Sequence, residues 1–253
     1  MTKKVLIASI LISLTLKSFT QDNSIRLNKF YNYMGSERAS VLKETIIYFN
    51  EFLEMNFDSI TLREDKIIEF LHLIMKDGYS PDFNWQFIPG NNKKLLEEFE
   101  KSGLRRDIWI YGKEVVEVDL FVKNYVKNYI NENSVDYIMR DRGYEIIEDV
   151  LVPLNIDSAA IAKRAEKKAR YNNTVIFTDY SLTMYGFDMY PSNEYSIQKY
   201  KETKFNEGST GGVRKKMVDA ILLFDPKSFK DPYCDIILVM DFFYPLMEIN
   251  KND

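Results

Sequence analysis

Residues 236–243 read Ile236-Ile237-Leu238-Val239-Met240-Asp241-Phe242-Phe243, a run with a single charge. It shows neither the two-residue alternation of a half-buried strand nor the 3.6-residue period of an amphipathic helix. It would serve equally as a buried strand or a buried helix. Met217–Phe224 poses the same choice, and Asp225-Pro226 and Tyr244-Pro245 end the two runs. The fold class turns on them: as strands they make the chain α+β, as helices they make it all-α.

The sequence just before them favours strands. Val175–Thr178 and Leu182–Tyr185 are short β-branched or aromatic runs bounded by Asp-Tyr-Ser and Gly-Phe-Asp, and Tyr195–Lys201 alternates loosely. Such composition suits strands and turns. Further upstream the period changes. Leu42, Ile46, Phe49 and Leu53 recur at three- and four-residue spacing after Gly35-Ser36, which predicts a core-facing helix from Ala39. Thr61 with Glu64 reads as a capping box opening a second helix through Ile67, Leu71 and Ile74, closed by Lys76 and Gly78. Tyr79–Asn92 is rich in Pro and Asn and reads as a loop. Lys93–Ser102 predicts a short helix stopped by Gly103, Ile108–Tyr111 an extended piece, and Glu114–Asn131 a longer helix. Tyr144–Val152 is expected to be helical up to Pro153, and Ala159–Arg170 to be a further helix.

The expected fold is therefore α+β, predominantly helical over the N-terminal two-thirds with a small mixed or antiparallel β region at the C-terminus. All-α is the alternative. Pro153–Asp157 is the best boundary, dividing a helical region over 21–153 from a mixed region over 154–253, the two packed as one globular unit.

Residues 1–20 form a third region with a different purpose. Lys3 and Lys4 precede an apolar stretch from Val5 to Leu16, then Lys17-Ser18-Phe19-Thr20 turns polar. This is the layout of a cleavable export signal, and the apolar stretch is shorter than the roughly 20 residues that span a bilayer. Export to a bacterial periplasm or exterior is the expectation, with no transmembrane segment after cleavage. The chain has 34 Lys+Arg and 38 Asp+Glu. Removing Lys3, Lys4 and Lys17 leaves 31 cations against 38 acids, so the charge moves from −4 to −7. An acidic chain argues against nucleic acid as a general partner. The partner expected is another envelope protein or a glycan, and no cofactor is expected.

Composition also limits the chemistry. With Cys234 alone there is no intramolecular disulfide, and Cys234 beside an apolar run reads as a buried, inert thiol. His72 is the one histidine; flanked by Phe70, Leu71, Leu73 and Ile74, it reads as structural before catalytic. Asp141, Glu145 and either Glu148 or Asp149 could share a helix face, but Arg140 and Arg142 interleave and neutralise them, and no calcium-loop pattern is present. No residue is assigned as catalytic or metal-binding.

Two segments could bind an anion or a partner. In the glycine-rich loop around 207–216, Ser209 and Thr210 can donate while Arg214 and Lys215 supply charge. The order of a P-loop is absent. On the expected helix over 159–170, Lys163, Arg164 and Lys167 form a basic face. Tyr180, Tyr185, Phe187, Tyr190 and Tyr195 supply aromatic contact residues in turn-rich sequence. The sequence thus leans toward a non-enzymatic binding or structural component of a bacterial envelope. The alternative is a small periplasmic hydrolase working through carboxylates or His72.

Overall fold

The run that decides the fold is helical. In the computed structural model, which describes residues 23–77, 84–134, 144–147, 150–153, 175–177, 181–192, 194–207, 213–222 and 226–251, the Asp231 side chain accepts the Tyr233 N–H at 2.9 Å and Pro232 opens the first turn. An acceptor at the N-cap followed by proline is a strong helix start. Pro232–Ile237 is α-helical, Leu238–Phe243 widens into a π-helical stretch, and Tyr244–Ile249 returns to α. The widening has a cause. Pro245 has no N–H to give the carbonyl four residues back, and the Tyr244 N–H reaches five residues back to Val239 O. Tyr244-Pro245, expected to end the run, is instead crossed by it. Every residue from Ile236 to Phe243 is buried, so the apolar run has no polar face because no face meets water.

The other helices surround this rod. In chain order they are α1 (23–34), α2 (Ser36–Asn56), α3 (Arg63–Asp77), α4 (Asn91–Ser102), the single turn α5 (Arg105–Ile108), α6 (Val115–Asn133), α7 (Leu182–Met189), α8 (Tyr195–Glu207) and α9 (Val213–Leu222). The rod itself is α10 (Pro232–Ile237), the π stretch and α11 (Tyr244–Ile249). Helix α2 lays Leu42, Phe49, Phe52 and Leu53 into the core, where Phe52 and Phe49 meet Phe243 at ring-centroid distances of 4.9 and 5.1 Å. One hydrophobic cluster runs from Phe30 through Leu95 and Phe187 to Met247. Among the described residues, no helix is long and apolar enough to cross a membrane.

Among the described residues, extended structure is limited to short antiparallel pairs: β1 (Trp109–Tyr111) with β4 (Val175–Phe177), and β2 (Tyr144–Ile147) with β3 (Val150–Pro153). The molecule is predominantly helical, and the all-α alternative fits it better than a C-terminal β region. Several expectations are corrected with it. Of Tyr144–Val152, expected as a helix, residues 144–147 and 150–152 lie in the β2–β3 pair, in keeping with their Ile- and Val-rich composition. Leu182–Tyr185, expected as a strand, begins α7. The reason lies 75 residues away: the buried Asp107 carboxylate accepts Leu182 N–H at 3.2 Å, Thr183 N–H at 3.1 Å and Thr183 Oγ1–H at 2.8 Å. Ser181 Oγ accepts the Met184 N–H, so the first turn of α7 has acceptors for three backbone donors. Tyr195–Lys201 and Met217–Leu222 are helical as well. Helix α1 was not anticipated, although Leu27, Phe30, Tyr31 and Met34 fall at i, i+3, i+4 and i+7.

Candidate functional site

Helix α4 owes its limits to two glycines. Gly90 before it and Gly103 after it both have φ near 80°, a left-handed conformation open to glycine at little cost. Between them Leu95 and Phe99 face the core, so residues 93, 96, 97 and 100 fall together on the opposite side. Past Gly103 the chain makes the α5 turn and enters β1, where alternation buries Ile110 and leaves Trp109 and Tyr111 half-buried on one side. From the other end of the sequence, Tyr244 and Glu248 sit one turn apart on α11, with the Tyr244 ring 4.8 Å from that of Phe99. These three elements enclose a cleft of about 500 Å³ lined by Lys93, Leu96, Glu97, Glu100, Arg105, Trp109, Tyr111, Tyr244, Glu248 and Lys251. That volume is in the range of small-molecule sites.

Arg105 organises one wall. Its guanidinium donates from Nη1 and Nη2 to the two Glu114 oxygens at 2.8 Å each, and from Nε and Nη2 to Glu100 at 2.7 and 3.1 Å. Nη1 also reaches Trp109 O at 3.2 Å. The same guanidinium lies over the Trp109 ring at 4.9 Å and the Tyr111 ring at 5.5 Å, and the two rings meet edge-to-face at 5.0 Å. Glu114 closes the circuit by accepting the Tyr111 N–H at 2.8 Å. Backbone, rings and charges of β1 are thus fixed by one buried arginine.

The protonation states follow from these contacts. Hydrogen bonds from Arg105 pull the Glu100 carboxyl below its ordinary value against the cost of burial. The same hydrogen bonds take Glu114 from 4.5 to about 2, helped by the Tyr111 N–H and opposed by desolvation. Burial alone would lower Arg105, but its hydrogen bonds to Glu114 and Glu100 prevail and raise it. Burial and the charge of Glu248 raise the Tyr244 phenol. Glu100 and Glu114 are therefore carboxylates at neutral pH, and Tyr244 keeps its proton. Lys251 pairs with Glu248 at 3.1 Å. Among the described residues, Lys93 and Glu97 make no ion pair, and no cluster of His, Cys, Asp and Glu could hold a metal ion.

The known protein families, the curated proteins and the solved structures contain no match to this chain.

None of the binding residues expected from sequence is among the described residues lining this cleft. Ser209 and Thr210 lie outside the described residues, as do Lys163, Arg164 and Lys167. Arg214 and Lys215 are in the first turn of α9, where the backbone alone is described. His72 is exposed on α3, away from the cleft lining. The carboxylate group is not a helix face: Glu145 is in β2, and Asp141, Glu148 and Asp149 lie outside the described residues. Of the aromatic set, Tyr185 and Phe187 are core residues, Tyr195 is exposed, and Tyr180 lies outside. Cys234 is buried, and desolvation together with Asp231 and Asp235 raises its thiol pKa, as an inert cysteine requires. Trp109, Tyr111 and Tyr244 carried no sequence signal beyond being aromatic. What could have marked Arg105 is its place in Gly103-Leu104-Arg105-Arg106, with acidic residues five before and nine after it.

Proposed function

We propose that the chain is an exported binding protein, a non-enzymatic component of a bacterial envelope, and that the α4–β1–α11 cleft is its recognition site. The export half rests on Lys3-Lys4, the apolar stretch from Val5 to Leu16 and the polar turn after it. The binding half rests on the charge state of the cleft. A hydrolase of the carboxylate type needs an acid held protonated near neutrality, so its carboxyl must be raised. Glu100 and Glu114 are moved the other way by Arg105. A wall whose charges are mutually satisfied and whose aromatic rings are fixed in place suits recognition.

The test is affinity capture of the tagged chain from its own cell envelope, with Trp109→Ala alongside. Material retained by the wild type and lost by the variant supports the reading. Equal retention by both removes the cleft from it, and no retention by either refutes binding. Edman sequencing that began at Met1 would refute export.

A further inference from the structure

The three cations and three carboxylates lining the cleft balance, and the structure pairs most of them inside the site. Arg105 is held between Glu100 and Glu114, and Lys251 by Glu248. Lys93 and Glu97 remain, both exposed and one turn apart on α4. An anion would meet Glu97, Glu100 and Glu248, and a cation would meet Lys93 and Lys251, so neither sign of ligand gains from the site as a whole. The rim instead offers donors and acceptors of both kinds. Lys93 and Lys251 supply ammonium donors and Glu97, Glu100 and Glu248 carboxylate acceptors, with hydrogen-bonding capacity beyond the ion pairs already made. Hydroxyl groups, which donate and accept at once, match such a rim without carrying charge.

The floor has the complementary character. Trp109 and Tyr111 line the cleft half-buried, and Arg105, which lines it beside them, packs over both rings at 4.9 and 5.5 Å. An apolar indole, braced edge-to-face by Tyr111, inside a polar lining of balanced charge fits a molecule with an apolar C–H face and a hydroxylated edge. We infer that the ligand of this cleft is an uncharged glycan, one sugar ring stacked on Trp109 with its hydroxyls reaching Glu97, Lys93 and the outer oxygens of Glu100. This rests on the cleft being the recognition site. It goes further by assigning the chemical class and by naming Trp109 and Glu97 as contacts.

Isothermal titration of the full chain with maltotetraose, cellotetraose, chitotetraose, trigalacturonate and spermidine tests it. At least one neutral tetrasaccharide is expected to bind, with the acidic and cationic probes weaker by about tenfold or more. Trp109→Ala is expected to weaken that binding by roughly tenfold, the scale of one lost aromatic contact, while Trp109→Phe retains most of it. Glu97→Ala stands in where Trp109→Ala fails to fold, because position 97 is exposed; its expected loss is about fivefold. Preferential binding of trigalacturonate or spermidine, abolished by Trp109→Ala, would overturn the glycan assignment while the cleft remained the recognition site. Binding of no probe, with Trp109-dependent capture from the envelope intact, would overturn it as well. A neutral glycan that binds equally well to all three variants would place it outside this cleft and refute the inference.

Discussion

Glu114→Gln is the perturbation that most directly examines how the cleft wall is built. The wild-type carboxylate takes two parallel N–H bonds from Arg105 and one from the Tyr111 backbone, all at 2.8 Å, and is 9% exposed. Its pKa falls from 4.5 to about 2. At about 1.4 kcal/mol per tenfold change in acidity, that depression corresponds to roughly 3 kcal/mol of folded-state preference for the ionised form. Glutamine keeps the shape and one acceptor but removes the charge, leaving Arg105 to Glu100, whose side chain is 59% exposed. Breaking a buried pair costs about 3–5 kcal/mol, and the remaining partner offsets part of it, so a loss of about 2–3 kcal/mol is expected at neutral pH. For a chain of this size that lowers Tm by roughly 4–12 °C. A carboxyl with a depressed folded pKa contributes fully above the unfolded value, and the contribution disappears as pH falls toward the folded one. The gap between wild type and variant should therefore be complete above pH 4.5 and close toward about pH 2. Thermal unfolding followed by far-UV circular dichroism across that range measures it, and a cycle with Arg105→Met isolates the pair. A neutral-pH gap under about 0.5 kcal/mol, or one that acid leaves unchanged, would refute the reasoning.

Three further outcomes follow from the packing. Gly186→Ala should destabilise by about 1–3 kcal/mol in urea unfolding, because its Cβ would stand 2.7 Å from Phe30 Cε2 and 3.0 Å from Tyr33 Cδ1; stabilisation, as helix propensity alone would give, contradicts the α1–α7 contact. Asp241 accepts the Tyr200 hydroxyl and both oxygens lie 2.9 Å from the buried Lys204 Nζ, so Asp241→Ala should cost about 3–5 kcal/mol and Tyr200→Phe only about 1; equal costs in chemical denaturation would remove the lysine from that account. Cys234 should react with a thiol reagent at least about a hundredfold more slowly in the native chain than in urea, and comparable rates would contradict its burial.

Local patterns in the sequence located α2, α3, α4 and α6. The period through Leu42, Phe49 and Leu53 gave α2, Gly103 gave the end of α4, and the extended piece at Ile108–Tyr111 is β1 within a residue. These signals are local, since amphipathic spacing and glycine stops act within a few turns. At Leu182–Tyr185 the deciding atom lies far along the chain. Leu182–Tyr185 is helical because Asp107, from a different element, accepts its first N–H groups. The cleft was not legible for the same reason: Trp109 and Tyr111 come from β1, Glu100 from α4 and Tyr244 from α11, with no shared motif.

The sequence by itself determined the balance of charge, the inert single thiol and the helices α2, α3, α4 and α6. It left residues 236–243 undecided, because a run without polar positions has no period to read. Tertiary structure decided it. Once helices pack on every side, the backbone must satisfy its hydrogen bonds within its own segment. A helix does that alone, whereas a strand needs a neighbouring strand that the described residues beside it do not supply.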